Sequence, residues 1–317
     1  MTGSEKEPVY LVTGSLGCIG AWTLRHLVVT GARVVSFDLS DNRRRLDLLL
    51  SREEQERVTF VQGEITDFDK VLATVRGQGV NRIIHLAALQ IPFCKADPVA
   101  GAHVNVVGTV NIFEAARQTG LTHLSYASSI AVYGAEDAGE GGGSEPDTLY
   151  GVYKRANEGT ARVYWHDHAL SSIGLRPYTV YGVGRDQGLT SEPTKAMLAA
   201  AAGEPYQVGF GGRMQFHFAS DVARQFIAAA ATPVDGAPVF NLGTSPVAVS
   251  EVVEIIRRLR PGSEISHVEE PLPFPEGFDA GDLKRYLPSP RETPLEDGVR
   301  ETIEHFEALL ANGKIDA

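Results

Sequence analysis

The chain has 317 residues, of which 43% are hydrophobic and 22% are charged. This composition is typical of a globular protein, and it excludes a disordered, collagen-like or coiled-coil chain. The length fits one large domain or two. The 29 basic and 40 acidic residues give a net charge of −11. An acidic surface repels phosphate backbones, so we expect no nucleic-acid partner.

The cysteine count and the N-terminus predict a cytoplasmic protein. Cys18 and Cys94 are too few for a disulfide framework, which fits a reducing compartment, although two cysteines are enough for one bridge. Residues 1–8 are polar and lack the apolar core of a secretion signal. No window offers the ~18 uninterrupted apolar residues that a membrane span needs, so no membrane association is expected.

Apolar runs alternate with segments of helical spacing through the first half of the chain. The predicted strands cover residues 9–12, 33–37, 58–62, 81–86, 123–128 and 171–176. The predicted helices cover residues 19–30, 45–55, 68–76, 99–119 and 150–169. Strands that alternate with helices indicate an α/β fold with a Rossmann-type, doubly wound parallel sheet.

The alternation loosens after Arg176, and prolines cluster between residues 271 and 294. We therefore expect a Rossmann domain over residues 1–175 and a smaller C-terminal substrate-binding lobe over 176–317. Within that lobe, residues 219–245 are predicted to return to the first domain through a strand at 239–242. A closing helix is expected near residues 295–312, and the Gly- and acid-rich stretch at 134–148 is predicted to be a mobile loop.

A glycine-rich loop joins the first strand to the first helix. Residues 13–20 read Thr-Gly-Ser-Leu-Gly-Cys-Ile-Gly. Gly14, Gly17 and Gly20 permit a tight turn, close approach of a pyrophosphate and tight helix packing. The first turn of the helix, with Cys18 and Ile19, offers free N–H groups and a positive dipole to phosphates. A glycine turn without a ligand is the alternative interpretation.

Asp38 ends the second strand, 18 residues beyond Gly20. A carboxylate at this point accepts hydrogen bonds from a ribose diol and repels a 2′-phosphate, which favours NAD over NADP. Arg43, Arg44 and Arg45 follow closely and weaken that preference unless they form a solvated helix face, which we favour. The thiol of Cys18, at a helix start, is a candidate for a lowered pKa, although a packing role is preferred.

Tyr150 and Lys154 are one helical turn apart on the same face. A nearby ammonium lowers the pKa of a phenol, and a phenolate is a competent general base toward a hydroxyl. Ser129 follows the fifth strand, at the sheet edge where ligands of parallel sheets bind, and can hydrogen-bond the substrate oxygen. The alternatives are a snorkelling lysine beside a packed tyrosine, and serine hydroxyls that cap the loop.

Taken together, these motifs resemble the extended short-chain dehydrogenase/reductase family, in its NAD-dependent epimerase/dehydratase branch. The resemblance spans residues 9–245 and is carried by segments 13–20, 63–65, 85–88, 105–109, 128–134, 150–154, 176–182 and 220–223. It implies a catalytic set of Ser129, Tyr150 and Lys154. It implies NAD as the cofactor, bound by Gly14, Gly17, Cys18, Ile19, Gly20, Asp38, Glu64, Ile65, Leu86, Ala87, Ala88, Tyr150, Lys154 and Tyr178. Glu64 stands where the family commonly has aspartate, and Asn105 is implied to brace the adjacent strand.

The chain departs from the nucleotide-sugar members of this branch at three places. Thr179 replaces their usual asparagine, Met214-Gln215-Phe216 replaces an Arg-Asp pair before an aromatic residue, and residues 273–279 replace a late Arg-x-Gly-Asp segment. A diphosphate needs cations or N–H donors to replace its water, so these departures argue against a nucleotide-linked substrate.

The candidate substrate contacts are Gln90, Ser128, Thr179, Arg185 and Arg213. The two arginines could bind a carboxylate or a phosphate, with surface arginines as the alternative. His166-Asp167-His168 is interpreted as a solvated helix face, so no metal site is expected.

Three functions are compatible with the sequence. The leading hypothesis is an NAD-dependent sugar epimerase, which oxidises a carbinol and reduces the ketone from its other face. The alternative is a net dehydrogenase of a free sugar, a uronate or another small alcohol. The third is a non-catalytic dinucleotide-binding sensor. The resemblance also implies a homodimer that pairs the helices at 99–119 and 150–169.

Overall fold

The computed structural model describes residues 7–134, 145–287 and 292–315. Most of the loop predicted at 134–148 lies outside these residues. In chain order the strands are β1 (Val9–Thr13), β2 (Arg33–Asp38), β3 (Val58–Gln62), β4 (Arg82–His85), β5 (Leu124–Ala127), β6 (Ile173–Arg176), β7 (Thr179–Tyr181), β8 (Tyr206–Val208), β9 (Arg213–Met214), β10 (Phe216–Phe218), β11 (Val239–Asn241), β12 (Val247–Ala248) and β13 (Ile265–His267).

The helices surround these strands. In chain order they are α1 (Cys18–Val29), α2 (Arg44–Asp47), α3 (Arg52–Gln55), α4 (Phe68–Gly77), α5 (Ile91–Ala96), α6 (Pro98–Ala102), α7 (Gly108–Thr119), α8 (Leu149–His168), α9 (Glu192–Ala202), α10 (Ala219–Ala231), α11 (Val249–Leu259), α12 (Leu283–Tyr286) and α13 (Leu295–Ala311). Among the described helices, none combines the length and the apolar character required to cross a bilayer.

Seven parallel strands form the central sheet, in the order β11-β6-β5-β4-β1-β2-β3. Every residue of β1 is buried, as expected for a strand with helices on both faces. The predicted Rossmann-type sheet is therefore confirmed. The strand order reverses between β1 and β4, and in open sheets ligands bind in the crevice beyond the strand C-termini at this point.

The C-terminal part of the chain contributes both to this sheet and to smaller strand pairs. The segment predicted to return to the sheet forms β11, which pairs with β6. Beyond the sheet, β7 pairs with β10, β8 with β13 and β9 with β12. One hydrophobic cluster runs from Trp22 on α1 to Ile303 on α13. The division into a domain over residues 1–175 and a lobe over 176–317 remains a prediction.

Two helix predictions need correction. The helix predicted over 45–55 is wrong, because α2 and α3 are separate four-residue helices. The chain turns between them so that Leu49 and Leu50 are buried, and Ser51 starts α3 with a capping box that uses Glu54. The helix predicted over 99–119 is interrupted by a π-helical turn at His103–Val107 between α6 and α7. Such turns are frequent at functional sites.

Candidate active site

A cleft of about 1070 Å³ opens at the C-terminal edge of the sheet. The segments that follow β1, β2, β4 and β5 line it, which places it at the reversal of strand order. Most of the residues singled out from the sequence lie together on its wall: Gly14, Gly17, Cys18, Ile19, Gly20, Asp38, Glu64, Ile65, Leu86, Ala87, Ala88, Gln90, Ser128, Ser129, Tyr150, Lys154, Tyr178 and Arg185. Thr179 and Arg213 do not line it.

The glycine loop packs too tightly for side chains. Gly14 has a φ of +61°, and a Cβ there would lie 2.7 Å from the Ala87 Cα. A Cβ on Gly20 would lie 2.3 Å from the Gly14 carbonyl oxygen. Gly17 is the N-cap of α1, so the first-turn N–H groups of the helix point into the cleft without intrahelical partners. The loop therefore has the geometry of a phosphate-binding loop.

The thiol of Cys18 in this loop does not have the lowered pKa that its position suggested. Burial raises its pKa to about 11, against the opposing charges of Arg185 and Arg45. Cys18 is therefore a packing residue of the loop, with its thiol protonated at neutral pH.

The carboxylate of Asp38 is fixed at the end of β2. Its Oδ2 accepts from the Leu16 N–H at 2.9 Å, and its Oδ1 accepts from the Ser40 N–H at 3.1 Å. Each carboxylate oxygen has a further lone pair, so the group can also accept hydrogen bonds from a diol in the cleft.

The three arginines that follow Asp38 are all engaged within the protein. The Arg43 guanidinium lies over the ring of Phe60, with its Cζ 3.5 Å from the ring centroid. Arg44 and Arg45 both pair with Asp186, and Arg45 Nη2 lies 2.7 Å from its Oδ1. Arg43 and Arg44 are exposed, as expected for a solvated face, whereas the side chain of Arg45 is only 18% exposed. Arg44 and Arg45 tie α2 to the segment after β7 through Asp186.

A single glycine brings Tyr150 next to Ser129. A Cβ on Gly151 would lie 2.0 Å from the Ala131 carbonyl oxygen, so the first turn of α8 touches the turn that follows Ser129. The sequence reasoning did not single out Gly151. Burial holds the pKa of the Tyr150 phenol above its usual value, although a hydrogen bond with Ser129 and the charge of Arg185 act in the opposite direction.

Lys154 is buried beneath Tyr150. Its Nζ donates to the Ala127 carbonyl oxygen at 2.7 Å and lies 5.6 Å from the centroid of the Tyr150 ring. Burial lowers the pKa of Lys154 to about 8, and the charge of Glu158 acts in the opposite direction. An ammonium with this pKa is mostly charged at neutral pH and loses its proton in mildly alkaline solution.

A polar network lies behind the catalytic face, centred on Glu158. Its carboxylate accepts from Arg176 Nε and Nη2, both at 2.7 Å, and it also accepts the hydroxyl proton of Ser128. Arg176 Nη1 in turn donates to the Tyr133 hydroxyl at 2.7 Å. Ser128, predicted to contact substrate, thus directs its hydroxyl to Glu158. The sequence reasoning missed this network.

Two predicted substrate contacts lie away from the cleft. Thr179 is fully buried, and its hydroxyl donates to the Met214 Sδ at 3.1 Å. Arg213 is exposed and pairs with Glu251 and Glu276, each at 3.4 Å. The structure does not bring either residue to the other candidates, because β7 buries the first and the short β9 carries the second to the surface.

Residues 271–280 form a strap beside the cleft, here called the C-terminal strap. The Tyr178 hydroxyl donates to the Pro275 carbonyl oxygen at 2.7 Å, and Phe278 stacks on Tyr133 with ring centroids 4.3 Å apart. Gln215 clamps the strap: its Nε2 donates to the Phe278 carbonyl oxygen at 2.8 Å, and its Oε1 accepts the Phe278 N–H at 3.1 Å. The strap places Phe274 on the cleft wall.

The backbone next to the cleft is held by Asn105. Its Oδ1 accepts the Leu89 N–H at 2.7 Å, and its Nδ2 donates to the Leu89 carbonyl oxygen at 2.9 Å. Asn105 therefore braces the segment after β4 rather than a strand, which the resemblance had implied, and the π-helical turn carries Asn105 to that segment. Across the described ranges, no three His, Cys, Asp or Glu side chains are grouped as a metal ion would require.

The sequence relationships decide the family. A model of the NAD dependent epimerase/dehydratase family matches residues 10–243. The chain belongs to this family. Among its relatives is a UDP-glucose 4-epimerase of Mycolicibacterium smegmatis, 33% identical in an alignment of 246 positions that covers 74% of this chain and 76% of the relative. As a family member the protein is an NAD-dependent enzyme of the epimerase or dehydrogenase type.

Solved structures of other proteins share the fold. The L-threonine dehydrogenase of Clostridium difficile superposes with a TM-score of 0.85 at 19% identity, covering 96% of this chain and 99% of the other. The UDP-glucose 4-epimerase of Thermus thermophilus, in complex with NAD, superposes with a TM-score of 0.80 at 24% identity, covering 94% and 98%. The same fold thus accompanies both an epimerase and a dehydrogenase, so the substrate must be argued from the site.

Proposed function

We propose that this member of the family is a net dehydrogenase, which oxidises a secondary alcohol of a small, non-nucleotide substrate and releases the ketone. The oxidation step rests on Ser129, Tyr150 and Lys154, which line the same cleft as the glycine loop. The observation that favours release of the ketone is the use of Gln215 to hold the C-terminal strap. The hydride acceptor is then NAD, bound next to Tyr150, which acts as the base.

The cleft fits NAD. The glycine loop leaves room for a pyrophosphate against the start of α1, and the fixed carboxylate of Asp38 suits the adenosine ribose. Glu64 and Ile65 would hold the adenine, Leu86, Ala87 and Ala88 would line the dinucleotide, and Tyr178 would lie near the nicotinamide. When bound, NAD supplies the carbon that accepts a hydride.

The chain's own residues handle the proton. The Tyr150 phenolate accepts the proton of the substrate hydroxyl as the C–H bond of the carbinol breaks and the C=O bond forms. The Ser129 hydroxyl donates a hydrogen bond to the substrate oxygen and holds it beside Tyr150. The Lys154 ammonium, fixed by the Ala127 carbonyl oxygen, favours the phenolate electrostatically and can bind the nicotinamide ribose.

The C-terminal strap favours a small substrate. Gln215 stands where nucleotide-sugar enzymes carry an Arg-Asp pair, and it uses its amide to hold Phe278. Among the described residues that follow Thr190 in the chain, only Phe274 lines the cleft, so the C-terminal part of the chain provides no cation there for a diphosphate. An epimerase must retain its ketone while the ketone turns, and a held diphosphate would provide such a tether. Its absence favours release of the ketone.

Sugar epimerisation is the second candidate, and the sequence relatives favour it. A UDP-glucuronate 4-epimerase of Arabidopsis thaliana is 29% identical over 81% of this chain, in addition to the mycobacterial enzyme described above. The first half-reaction of an epimerase uses the same Ser129, Tyr150 and Lys154 as a dehydrogenase. The two candidates differ only in whether the ketone is released or reduced again.

One incubation distinguishes them. The protein and NAD are incubated with UDP-sugars, free aldoses, uronates and polyols, while NADH absorbance and product structure by NMR are followed together. The proposal predicts NADH in equal amount to an oxidised product from a non-nucleotide alcohol. An inverted UDP-sugar without accumulation of NADH would contradict it and establish the epimerase.

Asp38 is expected to determine the preference for NAD over NADP. Replacing it with Asn removes the charge that repels a 2′-phosphate while keeping the side-chain shape. The affinity for NAD should fall on the order of 10-fold, since a charged acceptor is lost, and the NAD-to-NADP ratio of affinities should shrink. Titrations followed by intrinsic fluorescence measure both constants. Asp41→Asn, three residues further on an exposed segment, is the control and should leave both unchanged.

We also propose that the protein is a homodimer, formed through the face shared by α6, α7 and α8. The segment from α6 through the π-helical turn exposes Val99, at 68%, and Val107, and the neighbouring α8 exposes Val152 and Val163, the latter at 51%. Exposed apolar side chains on neighbouring elements are typical of an interaction surface. Val163→Glu should halve the molar mass measured by light scattering, from about twice 34.1 kDa to that of one chain.

The control for this experiment is Val29→Glu, which changes a valine of similar exposure, 60%, at the end of α1. This variant should keep the mass of the unchanged protein. A wild-type mass of one chain would exclude the dimer.

A further inference from the structure

We propose that Arg185 binds a carboxylate of the substrate, so that the oxidised alcohol is a hydroxy acid. The inference rests on the proposed function and narrows its substrate class. It concerns the one arginine on the cleft wall that the described part of the protein leaves without an acidic partner.

Arg185 sits in a loop that is fixed on both sides. The Val183 carbonyl oxygen accepts from the indole Nε1 of Trp22 at 2.9 Å, which anchors the loop to α1. On the other side, Asp186 is held by Arg44 and Arg45. The Arg185 N–H itself donates to the Gly182 carbonyl oxygen at 3.0 Å. The backbone thus presents this side chain in a defined position rather than on a free surface.

The guanidinium of Arg185 is poorly satisfied within the protein. Its Nε is buried and has no hydrogen-bond partner among the described residues, and its Nη2 reaches the Thr190 hydroxyl only at a long 3.4 Å. No described carboxylate forms an ion pair with it. The other cations on the wall are already engaged, because Arg44 and Arg45 share Asp186 and the Lys154 ammonium donates to the Ala127 carbonyl oxygen. Arg185 as a whole is partly exposed, but a buried N–H without an acceptor is costly, and an anionic ligand would supply that acceptor.

The position of Arg185 points to the substrate rather than to the adenosine end of the cleft. A Cβ placed on Gly188 would lie 2.2 Å from the Gln90 Oε1 and 3.0 Å from the Arg185 Nη2, so the carboxamide and the guanidinium meet there. The charge of Arg185 also reaches the phenol of Tyr150 and lowers its pKa. An anion held by Arg185 would therefore lie close to the hydroxyl that Tyr150 deprotonates.

The number of free cations favours a carboxylate over a phosphate. A guanidinium matches the two oxygens of a carboxylate with two parallel hydrogen bonds, and a single positive charge balances a monoanion. A phosphate monoester carries close to two charges and would draw a second free cation, which this part of the wall does not offer. The pyrophosphate of NAD is the competing source of an anion, because Arg185 also acts on Cys18 in the glycine loop.

The experiment measures binding before turnover, with the NAD-bound protein. Isothermal titration uses matched pairs that differ at one group: uronates against their aldoses, 2- and 3-hydroxy acids against their primary amides, and sugar 6-phosphates. Arg185→Gln and Arg185→Lys are compared with the unchanged protein. Arg213→Gln, which alters a surface arginine outside the cleft, is the control. NAD affinity and NADH formation are then measured for each variant.

The proposal predicts that at least one carboxylate binds more tightly than its neutral counterpart. Arg185→Gln should weaken that binding on the order of 10- to 100-fold, as loss of a charged hydrogen bond does, with NAD affinity changed less than about twofold. Arg185→Lys should recover only part of the loss, because it keeps the charge without the planar pair of donors. Arg213→Gln should change neither the carboxylate affinity nor the NAD affinity.

Four results would overturn the proposal: equal binding of every carboxylate and its neutral counterpart, carboxylate binding unchanged in Arg185→Gln, preference for the 6-phosphates, or a parallel loss of NAD affinity in Arg185→Gln. The proposed function fails separately. Carboxylates that bind through Arg185 without NADH formation would support this site and contradict dehydrogenation. NADH formed from neutral alcohols alone would support dehydrogenation and contradict the carboxylate site.

Discussion

Tyr150→Phe is expected to lower kcat by on the order of 10²- to 10⁴-fold, the range that a positioned general base contributes. The change removes one oxygen and keeps the ring that packs over Lys154, whose Nζ lies 5.6 Å from the ring centroid. The glycine loop and Asp38 are untouched, so NAD affinity should stay within about twofold of that of the unchanged protein. Turnover with the alcohol identified in the panel, together with a fluorescence titration of NAD, measures both quantities.

The same helix offers a matched control. Tyr153 donates its hydroxyl to the Pro98 carbonyl oxygen at 2.8 Å on the outer side of α8 and does not line the cleft. Tyr153→Phe makes the identical chemical change three residues away and should leave kcat unaltered. Retained turnover in Tyr150→Phe would remove the tyrosine from the reaction, and equal losses in both variants would indicate damage to α8 instead.

The sheet and the cofactor cleft could be predicted because their signals are local in sequence. A buried strand is a short apolar run, and a phosphate loop is a glycine spacing between such a run and a helix. Each strand from β1 to β6 overlaps its predicted run, and the predicted cofactor residues lie on one wall. The strand order then follows from the few topologies that parallel α/β sheets adopt.

The parts that the sequence did not reveal depend on contacts between distant residues. Glu158 and Arg176 are 18 positions apart, and Gln215 meets Phe278 across 63 positions. Neither pair leaves a periodic pattern. Thr179 and Arg213 were predicted to contact the substrate, and they do not line the cleft for the same reason. The sequence shows which residue types are present, but it does not show to which side a short strand directs their side chains. Gly151 is recognisable only once the Ala131 carbonyl oxygen is seen against it.

The network behind the catalytic face makes a second strong prediction, now for stability. Glu158→Ala leaves the Arg176 guanidinium buried, with 14% of its side chain exposed, and removes the acceptor for Ser128. Removing one partner of a buried ion pair costs about 3–5 kcal/mol, because the other charge stays in the interior without compensation. Urea unfolding without NAD, at one fixed protein concentration, should show a loss of this size in the free energy of unfolding.

Glu296→Ala is the matched control, since Glu296 also accepts from two arginines, Arg258 and Arg300, but at an exposed site. Its loss should stay below about 1 kcal/mol, as for other surface pairs. In the double variant Glu158→Leu/Arg176→Met, neither charge remains buried, so part of the stability lost in Glu158→Ala should return. The cost therefore arises from leaving one charge alone in the interior, and equal losses for Glu158→Ala and Glu296→Ala would contradict that account.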